Sequence, residues 1–283
     1  MQLSKRQCLS GRCSACATMT PRISVIIPAY HAHETIVRAV ASIRCSGLPM
    51  AQVQIVIAPD DGQDYTYLAG QAQNITIAVS AEVRSGAGPA RNRALQAATA
   101  DYVAFLDADD TWEDQYLAEL LPLAQKYGAA FGPTSILDQG REILRLPLQN
   151  TLSYADFAHS GASFHPLVSR AHAGPFINRP SQDIMHSLEV VALHGNAVPV
   201  SQAAYQLRLN PLSTTANEVF SRRAAAAYKA YMRDIRDGKT RIPITSQEDA
   251  VAVFNAKNQL NRAYTDASGT QSYYQFIAAT LPS

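Results

Sequence analysis

Short apolar runs alternate with segments of helical periodicity through the first half of this chain. The runs at 23–30, 53–59, 74–80 and 102–106 are rich in β-branched or aromatic residues, which is typical of strands buried on both faces of a sheet. A further run, at 129–137, predicts a fifth strand. Because such strands alternate here with helical segments, the sequence predicts an α/β fold with a Rossmann-like, mostly parallel sheet flanked by helices.

The pattern changes at both ends of this α/β region. The N-terminal stretch is polar and lacks periodicity, which predicts a disordered leader, and Met19 just ahead of the first strand is an alternative start of the protein. The C-terminal stretch returns to helical periodicity without strand signals. The predicted parts are 1–20 as leader, 21–215 as the α/β domain with halves 21–135 and 136–215, and 216–283 as a helical extension.

Bulk composition excludes several classes of protein. The net charge is +1 and the basic residues are dispersed, so no nucleic-acid partner is expected. The sequence holds no apolar run of about 18 residues, so no transmembrane helix is predicted and a cytoplasmic location is expected. Cys13 and Cys16 have the spacing of half a zinc site, but no second Cys or His pair follows at finger spacing, so a metal-free segment is favoured.

Acidic side chains follow two of the predicted strands directly. Asp60 and Asp61 come after the second strand, and Asp107 and Asp109 come after the fourth. In open α/β sheets a ligand binds beyond the carboxyl ends of the strands, so we expect these side chains at one edge. Paired carboxylates suit Mg²⁺ or Mn²⁺ that also binds substrate phosphates, although each group taken alone is more typical of a solvated turn.

A glycine turn opens the helix before the fourth strand. Gly86 and Gly88 permit a tight backbone turn, and Arg91 follows in the predicted helix. A helix N-terminus beside a guanidinium suits a phosphate group, whereas the alternative for Arg91 is an ordinary surface charge. Three such features at three strand ends favour a phosphate-containing ligand over three unrelated turns.

Taken in order, the segments SVIIPAYHAHETIVRAVASI, IVIAPDDGQDY and GAGPARNRALQAATADYVAFLDADD resemble family 2 glycosyltransferases, which have the GT-A fold. The likeness covers about 22–135 and is weaker to about 215. It implies an inverting enzyme that takes its sugar from a nucleotide sugar, most often UDP-linked, with Mn²⁺ or Mg²⁺. The residues it implies are Pro28, Ala29, Tyr30 and Glu34 beside the nucleoside, Asp60 at the uracil edge, Arg91 near the nucleotide, Asp107 at the ribose and Asp109 on the metal.

Two positions depart from the family pattern. His31 stands where the family usually has Asn, and Gln63 stands where the turn after the second strand often has Ser. Neither change removes a charged group, but both alter side chains near the expected donor.

Inverting sugar transfer needs a carboxylate that takes the proton of the acceptor hydroxyl. Family members carry this base in a Glu-Asp pair at the start of a helix in the second half. The matching pair here is Gln182-Asp183, so the resemblance implies Asp183 as catalytic base, with helix capping as the alternative. Further candidates near the acceptor or the closing loop are Trp112, His186, Arg208 and Ser213.

The predicted function is therefore transfer of a hexose or N-acetylhexosamine to a glycan or lipid-linked acceptor in cell-surface polysaccharide synthesis. Basic residues of the C-terminal helices, among them Arg222, Arg233 and Arg236, suggest a peripheral contact with the inner face of the membrane; a solvated helix face is the alternative. Two other classes stay open: a sugar-nucleotide binder without catalysis, and a nucleotidyltransferase. The latter normally has a glycine-rich basic loop where this chain has Pro28-Ala29-Tyr30.

Overall fold

The computed structural model describes residues 22–70, 73–147, 149–160, 162–209, 218–267 and 272–280. The predicted leader and Ser213 lie outside the described residues. The strands are β1 (Ile23–Ala29), β2 (Val53–Pro59), β3 (Ile75–Ile77), β4 (Tyr102–Phe105), β5 (Thr111–Trp112), β6 (Ala129–Phe131), β7 (Thr134–Asp138), β8 (Arg141–Leu146), β9 (Thr151–Leu152), β10 (Pro166–Ser169), β11 (Val198–Pro199) and β12 (Tyr205–Arg208).

Nine α-helices lie within the described ranges. They are α1 (Ile36–Arg44), α2 (Thr66–Ala69), α3 (Ala87–Ala97), α4 (Tyr116–Tyr127), α5 (Tyr154–His159), α6 (Gln182–Leu193), α7 (Glu218–Arg236), α8 (Gln247–Asp266) and α9 (Tyr273–Thr280). None of the described helices combines the length and the apolarity that crossing a bilayer requires.

The main sheet has six strands in the order β3-β2-β1-β4-β10-β6. The first four are parallel, with Ile27 of β1 opposite Ile57 of β2 and Ile26 opposite Phe105 of β4. Strand β10 runs antiparallel to both β4 and β6. The N-terminal end of β10 therefore reaches the same edge as the carboxyl ends of the parallel strands.

The central strands are buried on both faces, as their continuous apolar sequence predicts. Ile26 and Phe105 belong to a core shared with α3, α6, α7 and α8, whereas Ile27 belongs to a core on the other face with α1 and α4. Successive side chains of a strand point to opposite faces, so an uninterrupted apolar run fills both cores. The alternation fixes which face each helix covers.

The predicted fifth strand is two strands in two sheets. Gly132 and Pro133 separate β6, which pairs with β10 in the main sheet, from β7, which joins a second sheet of order β5-β12-β7-β8. A Cβ on Gly132 would lie 2.3 Å from the ring of Tyr116, so the chain turns where only glycine fits. The second sheet brings β12 alongside the segment that follows β4.

The C-terminal helices pack on the α/β layers over a wide area. Helices α7 and α8 pack on each other, and α8 packs on α5. Arg241, between α7 and α8, forms an ion pair with Glu189 of α6 and donates to the carbonyl of His172. Arg179, just before α6, pairs with Asp234 of α7. These helices therefore lie directly against the start and the middle of α6.

Candidate active site

Asp61 joins the ends of β1 and β2. Its carboxylate accepts hydrogen bonds from the backbone N–H of His31 (2.6 Å), the hydroxyl of Tyr65 (3.0 Å) and the N–H of Gln63 (3.0 Å). Burial opposes ionisation of Asp61, but these donors hold its pKa below the usual value. His31 has φ +50, so Asp61 fixes a turn of uncommon backbone geometry beside Tyr30.

Asp60 shapes the loop that opens α3. Its carboxylate accepts from the N–H and hydroxyl of Ser85 and from the N–H of Gly86, at 2.6 to 3.1 Å. Gly86 has φ +103, a conformation that glycine tolerates without a Cβ clash. Asp60, which the resemblance predicts at the uracil edge, is thus buried and links the end of β2 to the glycine turn through hydrogen bonds.

Arg91 and Asp107 form an ion pair at the rim of the sheet. A guanidinium Nη2 of Arg91 donates to Oδ1 of Asp107; the arginine side chain is 3% exposed and the carboxylate 31% exposed. Burial opposes ionisation of both groups, yet their mutual attraction raises the pKa of Arg91 and lowers that of Asp107. Nε and Nη1 of Arg91 are buried without a hydrogen-bond partner among the described residues.

Asp110 connects the acidic segment to β12. Its carboxylate accepts from the hydroxyl of Tyr205 (2.7 Å) and from the N–H of Arg208 (2.8 Å), and the same Tyr205 hydroxyl accepts from the N–H of Asp107 (3.1 Å). Burial and the charges of Asp109 and Asp107 raise the pKa of Asp110 well above its ordinary value. The second sheet thereby fixes the backbone that carries the paired carboxylates.

Asp109 lies between Asp107 and Asp110 in this acidic cluster. Burial and the charge of Asp107 raise its pKa, and the charges of Arg38 and Arg91 only partly oppose this. Arg38 donates to the backbone carbonyl of Asp109 rather than to its side chain. A crowded carboxylate of this kind fits a hard divalent cation.

The acidic edge suits a metal ion whose coordination is completed by oxygen atoms of the substrate. Across the described residues, no three His, Cys, Asp or Glu side chains are arranged to hold an ion by themselves. Mg²⁺ and Mn²⁺ bind through one or two carboxylates when phosphate oxygens supply further ligands. Asp109, with Asp107 beside it, fits that arrangement.

His165 lies at the same edge, on the N-terminal side of β10. Its ring stacks on Tyr205 with centroids 4.3 Å apart, and Nε2 is 4.0 Å from Oδ2 of Asp107. Burial lowers the pKa of His165, so the ring is neutral, and neither ring nitrogen has a hydrogen-bond partner within the described part of the chain. His165 and Arg91 together place unpaired polar atoms at the rim.

Asp183 is the second residue of α6. It lies in the first turn of α6, after Ser181 at φ +58. Its charge acts on both rim residues: Asp107 and Asp183 together raise the pKa of Arg91, and Asp183 opposes the burial that lowers the pKa of His165. The predicted base and the predicted nucleotide residues are therefore close in space although distant in sequence.

The remaining predicted residues fall into two groups. Tyr30 is 47% exposed beside the turn after β1, Glu34 is exposed, and Arg208 lies at the end of β12 with its Nε on the hydroxyl of Thr111. These three lie around the open edge, next to Pro28 and Ala29 at the end of β1.

Trp112 and His186 are core residues. Trp112 is buried and stacks on Tyr116, with ring centroids 4.7 Å apart. His186 is buried, donates to the carbonyl of Ala173 and stacks on Phe176; burial lowers its pKa to about 3. Neither ring lies on the open edge, so the structure gives both a packing role.

Sequence reasoning missed Asp110, His165, Tyr205 and Arg38 as parts of the site. Asp110 had a signal, since it continues the acidic run, but its partners come from β12. His165 had a signal only through topology, because a residue before an antiparallel strand reaches the edge where parallel strands end. Tyr205 and Arg38 stand in ordinary strand and helix patterns that carry no such mark.

The profile of glycosyl transferase family 2 matches residues 24–172. The chain belongs to this family. TuaG of Bacillus subtilis, a glycosyltransferase named for teichuronic acid biosynthesis, is 34% identical over 116 residues, 40% of this chain and 46% of TuaG. WfgD of Escherichia coli, a UDP-Glc:alpha-D-GlcNAc-diphosphoundecaprenol beta-1,3-glucosyltransferase, is 30% identical over 112 residues, 38% of this chain and 43% of WfgD. This family 2 chain spans less than half the length of either relative.

The fold of this family 2 chain is GT-A. The crystal structure of S. aureus TarS 1-349 in complex with UDP-GlcNAc covers 90% of this chain and 77% of its own chain, at a TM-score of 0.65 and 15% sequence identity. The expected sheet architecture is confirmed. The profile match ends ahead of α6, so Asp183 lies beyond the matched segment.

Proposed function

We propose that this family 2 chain is an inverting glycosyltransferase that uses a nucleotide sugar, with UDP as the favoured nucleotide. The acceptor is a hydroxyl on a glycan or lipid-linked sugar in cell-surface polysaccharide synthesis. One observation carries the proposal: Arg91 pairs with Asp107 at the rim and at the same time lies within the field of Asp183. The packing of the two helices supports this closeness: a Cβ added at Gly88, in the first turn of α3, would lie 3.6 Å from Cγ of Gln182, the residue before Asp183.

The residues of the chain divide the chemistry between them. Asp183 takes the proton from the acceptor hydroxyl as that oxygen attacks the anomeric carbon, and the bond from this carbon to the diphosphate breaks. The unpaired N–H groups of Arg91 stabilise the negative charge that collects on the leaving diphosphate. Asp109, assisted by Asp107, would hold a divalent cation, which when bound supplies charge neutralisation of the phosphates.

Support for the donor and the acceptor comes from the relatives. WfgD is named for a UDP-glucose donor and a diphosphoundecaprenol acceptor, and TarS has been crystallised with UDP-GlcNAc. Tyr30 and Glu34 are both exposed just after β1, so both side chains are accessible to a nucleotide base.

We also propose that the reaction takes place at the membrane surface, with the protein bound peripherally. One face of α7 is buried, and the opposite face exposes a basic stripe that an anionic surface would attract. The stripe consists of Arg222, Arg223, Lys229, Arg233 and Arg236. Binding to vesicles with 30 mol% anionic lipid, lost at high salt or in a variant with three of these residues changed to Gln, tests this contact.

A donor screen tests the proposed function. Calorimetry with UDP, GDP and their sugars, with and without Mn²⁺, should show a metal-enhanced preference for one nucleotide, and release of that nucleotide from its sugar should follow. Binding of a nucleotide sugar without release of the nucleotide would indicate a sugar-nucleotide binder without catalysis. Pyrophosphate release from a nucleoside triphosphate would contradict sugar transfer and favour a nucleotidyltransferase.

A further inference from the structure

A buried histidine at the rim of the sheet has no hydrogen-bond partner of its own. His165 is 5% exposed, and neither of its ring nitrogens is paired among the described residues. Buried side-chain polar atoms are hydrogen-bonded in most folded proteins, so an imidazole left unpaired in the interior requires an explanation. His165 takes no part in the proton transfer or the charge stabilisation proposed for the site.

The backbone around His165 is anchored on both sides of the sheet. The carbonyl of Ser163 accepts from the hydroxyl of Thr134 in β7 at 2.7 Å, and the carbonyl of Phe164 accepts from the hydroxyl of Ser187 in α6 at 2.5 Å. The residue after His165 begins β10. The imidazole is therefore attached to a segment that three elements hold in place.

Tyr205 fixes the plane of the ring. The two rings stack with their centroids 4.3 Å apart and an angle of 12° between their planes. The hydroxyl of Tyr205 donates to Asp110 at 2.7 Å and accepts from the N–H of Asp107 at 3.1 Å. The imidazole therefore lies against a ring that also binds the backbone of Asp107.

The second carboxylate oxygen of Asp107 faces this imidazole. Arg91 donates to Oδ1 of Asp107, whereas Oδ2 lies 4.0 Å from Nε2 of His165. A carboxylate only accepts hydrogen bonds, so it favours the tautomer of the neutral ring that has its proton on Nε2. An N–H donor thus faces an acceptor oxygen at a distance that is too long for a hydrogen bond.

A small movement of the carboxylate would close this gap. A charge-assisted hydrogen bond needs about 2.8 Å, so the two atoms have to approach by about 1.2 Å. The terminal torsion of an aspartate is broad, and rotation about it can supply such a movement. The bond from Arg91 to Oδ1 holds the carboxylate in its present orientation.

A bound diphosphate would weaken the hold of Arg91 on Asp107. Nε and Nη1 of Arg91 are unpaired within the described part of the chain, and under the proposed function they bind the phosphates. A guanidinium drawn toward phosphate shares its charge between two anions. Of the described residues, Arg91 and His165 are the two whose side chains form ion-pair contacts with Asp107, so His165 is the donor that can replace Arg91.

We propose that His165 is a positioning residue for Asp107. In the donor-bound protein its Nε2–H binds the second carboxylate oxygen, so that Asp107 keeps its orientation while Arg91 binds the diphosphate. The inference rests on the proposed function, in which Asp107 contributes to the donor site. His165 does not touch the nucleotide sugar; it acts through the carboxylate.

The contact can be observed by NMR without any turnover. In the full chain with ¹⁵N-labelled histidine, the His165 signals, assigned by their loss in His165→Phe, should show a protonated Nε2 and an unprotonated Nδ1. Saturating UDP with Mg²⁺ should shift the Nε2 proton downfield, as formation of a hydrogen bond to a carboxylate predicts. In Asp107→Asn this shift should be absent, because the amide turns its oxygen to Arg91 and its NH₂ to the ring. A proton on Nδ1, or no shift with UDP bound, would overturn the proposal.

Calorimetry tests the consequence for donor binding. His165→Phe keeps an aromatic ring on Tyr205 but removes both nitrogens, so the affinity for UDP and for UDP-glucose should fall about 10- to 100-fold, as loss of a hydrogen bond to a charged group predicts. His165→Gln, whose amide can donate in place of Nε2, should recover most of this loss. Exposed His172→Phe is the matched control and should bind both as wild type does.

A double-mutant cycle separates positioning from direct contact with the nucleotide. In the Asp107→Asn background, His165→Phe should have no further effect on donor affinity, because the group it positions is gone. An equal loss in both backgrounds would place the imidazole on the nucleotide itself and overturn the proposal. Thermal unfolding without nucleotide should be the same for His165→Phe and wild type, because the bond to Asp107 forms only with the donor bound.

The outcomes separate this inference from the proposed function. If the wild-type chain binds and cleaves a nucleotide sugar while His165→Phe binds it equally well, His165 has no positioning role and the transferase survives. If the wild-type chain binds no nucleotide sugar, the proposed function fails, and a donor site for His165 to support fails with it.

Discussion

The proposed nucleotide side and the proposed acceptor side of the site are built in different ways. The nucleotide side is assembled from strand ends and short turns: Asp60 ties β2 to the glycine turn, and Asp61 ties β2 to β1. The acceptor side depends on helix packing, in which α7 contacts Pro180 and Arg179 just before α6. The family profile covers the first side and ends before the second.

The two sides are therefore constrained by different parts of the fold. The nucleotide side is tightly constrained, because Asp60, Asp61, Asp107 and Asp110 each already hold a turn or a partner. The geometry of the acceptor side depends on helices outside the matched segment. Variants on the two sides should therefore fail in different ways.

The largest effect should come from Asp183→Asn. The amide keeps the shape of the side chain but cannot take a proton, so nucleotide release should fall about 10²- to 10⁴-fold. Donor affinity, measured by calorimetry, should be unchanged because the base lies on the acceptor side. Asp266→Asn, an exposed change at the end of α8, is the matched control. Normal turnover in Asp183→Asn would assign the base elsewhere.

Asp109→Asn should show the opposite pattern. Adding Mn²⁺ should raise the donor affinity of this variant about 10- to 100-fold less than that of the wild type. Losing a residue that holds or orients a metal ion typically weakens metal binding by that factor. Calorimetry with and without the ion measures it. Exposed Asp114→Asn should retain the full gain. An undiminished metal effect in Asp109→Asn would place the cation at other oxygens.

Removing one partner of the rim ion pair should cost more stability than removing the other. Asp107→Asn leaves a guanidinium that is 3% exposed without its charged partner, and should lower the free energy of unfolding by about 3 kcal/mol. Arg91→Met should cost less, because the carboxylate left behind is 31% exposed and can take up water. Denaturant unfolding compares the two. Equal losses would mean that solvent reaches both partners alike.

The free energy of unfolding should depend on pH through His186 of α6. His186 has a folded-state pKa lowered to about 3 by burial, whereas its unfolded value is about 6.5. As the pH falls below about 6.5 the unfolded state binds a proton that the folded state does not, so stability drops. Between pH 7 and 5 this loss is about 2 kcal/mol, and it should be absent in His186→Leu. An identical pH slope in both proteins would contradict neutral burial.

The smallest effect should come from the clamp before α6. A double-mutant cycle with Arg179→Met and Asp234→Asn should give a coupling of about 1 kcal/mol or less in stability, because the arginine side chain is 32% exposed. The same variants should lower kcat and leave donor affinity unchanged. A loss of donor affinity instead would show that the C-terminal helices support the nucleotide side as well.

Much of the nucleotide side could be predicted from local pattern. Buried strands have continuous apolar runs, and the polar residues that follow each parallel strand must reach one edge, so Asp60, Asp107 and Tyr30 were placed from sequence. The structure adds that Asp60 and Asp61 are occupied by turn hydrogen bonds. Whether Asp109 holds a metal and Asp183 is the base stays a prediction.

The sequence by itself determined the layered sheet, its helices and the acidic edge, because strand and helix periods and turn residues are local properties. Tertiary structure alone decided the partners of those residues. Tyr205 bonds to Asp110 across 95 positions and Lys257 bonds to Ser160 across 97 positions. Such contacts depend on how whole helices and sheets pack, and no local pattern specifies which side chains that packing brings together.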